Sequence, residues 1–151
     1  MYPHFYKINS YDEVSSKILN ELINFSGLIL AMEKINNNLL TEDRFNQNTD
    51  FLQYIDHFGL GRYFHFRCQG YMEALVFTKS YSPQGICYWL NNLVYPTSKH
   101  FMEALKYFDR VTLPATEIHN SEFHKLIGII TEFKRVSTEI MENIKFYNLT
   151  C

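Results

Sequence analysis

GLGRYFHFRC, residues 59–68, is the stretch on which the fold turns. Taken two by two, Phe64, Phe66 and Cys68 alternate with Tyr63, His65 and Arg67, the pattern of a half-buried strand. Over a wider window the period changes. Leu60, Phe64, Cys68, Tyr71 and Leu75 recur on one helical face, with Met72, Val76 and Lys79 alongside. A run of that length fits a helix better than a strand. Gly59 stands where a C-terminal glycine belongs, after Phe51, Leu52, Tyr54, Ile55 and Phe58. The local signals therefore predict a short helix capped by Asp50, an end at Gly59, and a second helix over 61–79. In that second helix Gly70 would admit a close neighbour.

The same period runs outward in both directions. On the N-terminal side, Ser10-Tyr11-Asp12-Glu13 has the spacing of a capping box. Val14, Ile18, Leu22, Phe25, Ile29, Met32 and Ile35 then mark one stripe of a long helix. Asn36-Asn37-Asn38 is its expected stop, because asparagine competes for backbone hydrogen bonds. Leu39 to Thr49 reads as a polar loop with at most one helical turn. On the C-terminal side, Ser82-Pro83 is an N-cap followed by proline at the first helical position. The helix it opens carries Ile86, Trp89, Leu90 and Leu93 and is expected to close at Tyr95-Pro96. Thr97 or Ser98 would cap the next, with Phe101, Leu105 and Phe108 inside. A last helix begins near Asn120 or Ser121, with Phe123, Leu126, Ile127, Ile130, Phe133, Ser137, Ile140, Ile144 and Tyr147 along its stripe. The expected architecture is all-α: a single domain over residues 1–151, a bundle of about six helices with long first and last members packed antiparallel.

Composition narrows the function classes. The 151 residues are 46% hydrophobic and 20% charged, a globular balance that can bury a core without staples. A net charge of −2 gives no general pull towards nucleic acid or an anionic membrane, so neither partner is expected. No segment is long and apolar enough to span a bilayer, and Met1-Tyr2-Pro3-His4 does not open a secretory signal. Cys68, Cys87 and Cys151 are odd in number and widely spaced, which reads as reduced thiols in a cytoplasmic protein. Aromatic residues reach 17%, with 11 Tyr, a residue equally suited to a core edge and to a contact surface.

Chemistry-bearing clusters are few. The 59–68 stretch lacks the third glycine of a dinucleotide fingerprint and the Gly-Lys-Ser/Thr ending of a phosphate loop. His65 and Cys68, three apart, are half of a metal site without a second half. His119 and His124 lie five apart, about 140° around a helix, so they do not share a face as in His-Glu-x-x-His. A small nuclease or metal-dependent hydrolase using His119 and His124, or His65 and Cys68, is the alternative reading. No cofactor is expected. Tyr88, Asn91, Asn92 and Tyr95 fall at i, i+3, i+4 and i+7, an uncharged face of two phenols and two amides suited to an interface. The leading expectation is thus a non-enzymatic protein-binding module, of the inhibitor, immunity-protein or adaptor kind, acting by steric occlusion of another protein. An obligate homodimer is a further possibility.

Overall fold

The computed structural model describes residues 10–78, 82–111 and 121–147, with side chains over 16–78, 82–111 and 124–145. The capping box, Lys79, His119, Phe123 and Tyr147 lie outside those limits for their side chains. The described chain is helical and contains no strand, so the fold is all-α as expected. The elements are α1 (Ser10–Leu39), α2 (Asp43–Asn46), α3 (Thr49–Phe77), α4 (Pro83–Trp89), a π-helical turn (Leu90–Val94), α5 (Tyr95–Asp109) and α6 (Ser121–Tyr147).

Two expected breaks do not occur. Asn48, not Asp50, caps α3, its side-chain oxygen accepting the Phe51 amide at 2.9 Å. The helix then runs 29 residues straight through Gly59, Gly61 and Gly70. Gly61 is the residue that needs to be glycine: a Cβ there would stand 2.7 Å from the Phe101 ring. At Gly59 and Gly70 an added Cβ meets nothing within 4 Å, so the close neighbour expected at Gly70 is at Gly61 instead. Pro96 fails to end its helix for a different reason. A proline has no amide to give the carbonyl four residues back and its ring crowds that carbonyl. The chain widens just before it into the π turn, where the Tyr95 amide donates to the Leu90 carbonyl five residues back. Thr97, buried, returns its hydroxyl to the Leu93 carbonyl at 2.7 Å and caps nothing. Residues 83–109 are consequently one continuous rod. Ser82 caps it as expected, accepting the Gly85 amide at 3.1 Å.

Four long rods result: α1, α3, the α4–α5 rod and α6. α3 and α5 run antiparallel, Tyr54 meeting Phe108, Phe58 meeting Phe101 and Cys68 meeting Thr97. α1 and α6 pack together, Phe25 stacking on Phe133 with centroids 5.2 Å apart. Each rod sends one phenylalanine to the centre. Phe25, Phe58, Phe101 and Phe133 form a ring cluster, its closest pair 4.9 Å apart. The predicted stripe of α1 is buried from Ile18 to Ile35, and α6 buries Leu126, Ile130, Phe133, Ile140 and Ile144. Ile127, assigned to that stripe, is half-exposed, and Val136 is buried in its stead.

Candidate functional site

The residues of 59–68 divide between core and surface by helical phase. His65 is buried against the edge of Phe25, and its Nε2–H donates to the Leu22 carbonyl at 2.7 Å. Burial holds its pKa below 6.5, the backbone acceptor opposing that only in part, so the ring is neutral. Cys68 is fully buried, a free thiol 3.4 Å from the Thr97 hydroxyl, and burial pushes its pKa up to about 12. Its own carbonyl accepts the indole N–H of the buried Trp89 at 3.0 Å. Both side chains of the candidate half-site thus brace α3 against α1 and the α4–α5 rod. Cys87 is disulfide-bonded, which corrects the expectation of three reduced thiols and removes the thiol argument for a reducing compartment.

His124 is exposed on the first turn of α6, while His119 lies outside the described residues. Among the described residues, no three of His, Cys, Asp and Glu gather to hold a metal ion. No described helix is long and apolar enough to cross a membrane.

Tyr88, Asn91, Asn92 and Tyr95 are all exposed. The π turn lies between the two tyrosines and changes how they relate. Tyr88 leans on Tyr71 of α3 with centroids 5.2 Å apart, and Asn92 Nδ2 donates to the Tyr88 carbonyl at 3.1 Å. Tyr95 instead lines a groove of about 410 Å³ between α5 and α6, with Met102, Met141 and Glu142. The four residues form an exposed band along the rod, with Tyr88 beside α3 and Tyr95 beside α6.

Two features were not singled out from the sequence. His57 and His100 meet across α3 and α5 with their Nδ1 atoms 3.3 Å apart, Tyr107 stacked beyond His57 and Phe64 beyond His100. Burial, then the neighbouring His57, lowers the His100 pKa. The 43-residue separation left no local signal for this pair. The second feature is the outer side of α3, where Leu52, Leu60, Tyr63, Phe66 and Phe77 stand in solvent. Its signal was legible: a helix with apolar residues on more than one face has more than one surface to cover. A further groove of about 560 Å³ runs between α1 and α6, lined by Leu28, Ile35 and Ile129 with Lys34, Lys125 and Glu132 at its rim. Compared with protein-family models, curated proteins and solved structures, the chain finds no match.

Proposed function

We propose that this protein is a non-enzymatic protein-binding module, of the inhibitor, immunity-protein or adaptor kind, that occludes its partner sterically. The observation that carries this reading is the band of Tyr88, Asn91, Asn92 and Tyr95, all solvent-facing on a rod whose inner side is anchored by Trp89, Leu90 and Val94. A rigid rod presenting phenols and amides loses little side-chain entropy on docking and adapts its hydrogen bonds to the partner. The Met102 and Met141 side chains beside Tyr95 add a deformable apolar wall for an anchor residue of the other protein. The four side chains of the band are themselves uncharged, and Glu142 and Lys145 border the groove beside Tyr95.

The test is capture of the full chain's partner from its native cell, identification by mass spectrometry, and calorimetric titration of the purified pair. Tyr88→Ala and Tyr95→Ala should each weaken that affinity by about tenfold or more while leaving the melting temperature nearly unchanged. A partner that binds both variants as tightly as the parent would displace the surface. A stoichiometric metal with hydrolytic activity, both lost in His124→Ala, would displace the binding reading itself.

A further inference from the structure

We propose that two copies of this chain associate antiparallel through the outer face of α3, about a two-fold axis that crosses the helix between Phe64 and His65. This goes beyond the partner-binding reading and does not rest on it.

The argument starts from spacing. On the side of α3 turned away from the core, the exposed positions 52, 56, 59, 63, 66, 70, 73 and 77 follow one another by alternate steps of four and three. That is the seam repeat of paired helices. The buried side of the same helix already carries Phe51, Tyr54, Phe58, His65, Cys68, Met72 and Leu75. This second seam, apolar at Leu52, Tyr63, Phe66 and Phe77 and interrupted by Asp56 and Glu73, is therefore surplus to the fold.

The seam also reads alike from both ends. Inverting the helix about its midpoint exchanges Leu52 with Phe77, Asp56 with Glu73, Gly59 with Gly70, and Tyr63 with Phe66. Each exchange preserves chemistry: apolar, acidic, glycine, aromatic. An isologous interface requires a patch that complements itself, residue i meeting j and j meeting i. A different protein would place no such demand. The apolar, glycine and aromatic exchanges meet that requirement, whereas the acidic pair would repel if placed face to face. At the centre, Tyr63 faces the second copy's Phe66. On either side Gly59 faces the second copy's Gly70, where neither carries a Cβ and open space lies over both, so the backbones can approach. The two acids lie 17 residues apart, about 100° around the helix, and so border opposite edges of the seam.

The area is sufficient. Tyr63 is 51% exposed, Phe66 73% and Phe77 88%, with Leu52 partly bare on the same seam. With aromatic side chains burying roughly 150–250 Å² each, the patch amounts to roughly 500 Å² per copy. A symmetric pair then removes roughly 1,000 Å², the threshold of a specific interface, and a bare patch of this size on a monomer commonly marks one.

Sedimentation velocity on the full chain across a hundredfold concentration range tests this. The mass should rise from 18.0 kDa towards twice that value. Phe66→Glu should weaken the self-association by about tenfold or more, with an unchanged melting temperature at dilutions where the parent is monomeric, since the ring is 73% exposed. Gly59→Cys and Gly70→Cys chains should form a covalent dimer when mixed under mild oxidation, and markedly less when each is oxidised alone. A monomer at every concentration would overturn the proposal. So would a dimer indifferent to Phe66→Glu, or a crosslink formed as readily by one variant alone. A monomer that still binds a captured partner through Tyr88 and Tyr95 would overturn only this inference, leaving the partner-binding reading intact.

Discussion

Three asparagines in a row mark the end of α1, but only Asn36 goes into the core. Its Oδ1 accepts the Tyr54 hydroxyl at 2.7 Å, and its Nδ2 is buried without a partner. Burial raises the Tyr54 pKa far above the usual phenol range, so the group stays a donor at any ordinary pH. Tyr54→Phe leaves the Asn36 Oδ1 unpaired as well and should cost about 1–3 kcal/mol in urea unfolding. Adding Asn36→Leu to Tyr54→Phe should recover most of that, since the apolar pair leaves nothing unpaired. His65 makes stability depend on acid. Its folded pKa lies below 6.5, so as pH falls the unfolded chain takes up the proton first. Stability should be full above neutrality and decline as the pH falls from about 7 towards 5, with His100 acting in the same direction. His65→Gln keeps a donor for the Leu22 carbonyl and should flatten this slope in melting curves recorded across that range. An unchanged slope would remove His65 from the account.

At the scale of elements, α3 meets α5 closely at one glycine, Gly61. Glycine in a helix interior costs about 1 kcal/mol relative to alanine, and α3 contains three. At Gly61 that cost accompanies the close approach of Phe101; elsewhere it does not. Gly61→Ala should therefore lower stability by about 1–2 kcal/mol net, because overpacking exceeds the propensity gain. Gly27→Ala, in open space on α1, should raise it by about 0.5–1 kcal/mol, and the two together form a control on the same measurement. The rod through residues 83–109 depends on its π turn. Deleting Asn92 removes the extra residue of that turn and should leave a helical, cooperatively folding protein by circular dichroism. Deleting Glu103 from the regular part of α5 shifts Ala104, Leu105 and Phe108 out of the core and should abolish the melting transition. The ion pairs between rods, Arg62 with Glu33 and Lys134 with Asp109, are exposed and contribute little beside these packing terms.

At the scale of the whole molecule, the four phenylalanines at the centre tie the rods into one cooperative unit, so access to the deepest groups requires global opening. Cys68 reports on that opening. Its buried, strongly protonated thiol should resist iodoacetamide at pH 8 in native buffer and react at once in denaturant, whereas Cys87 should react only after reduction. Rapid alkylation of Cys68 in the folded protein would mean that α3 detaches locally from the α4–α5 rod. The candidate surfaces belong to this scale as well. Tyr88, Asn91, Asn92 and Tyr95 were legible as solvent-facing because they interrupt an apolar run; where Tyr95 ends up depends on the π turn. The His57–His100 contact depends on the pairing of α3 with α5, which no short window contains.

The apolar period by itself determined that the described chain is helical, that the stripe from Ile18 to Ile35 and most of the stripe from Leu126 to Ile144 line the core, and that Ser82 opens a helix. Those are local properties, set by residues a turn apart. Only the tertiary structure decided whether Gly59 and Pro96 end their helices. Each carries a helix penalty of about 1–3 kcal/mol, small enough for packing to override, and the packing comes from residues distant in the chain. The rings of Phe101, Phe58 and Phe133 lie against one another across three rods, packing that favours the continuous helices over broken ones.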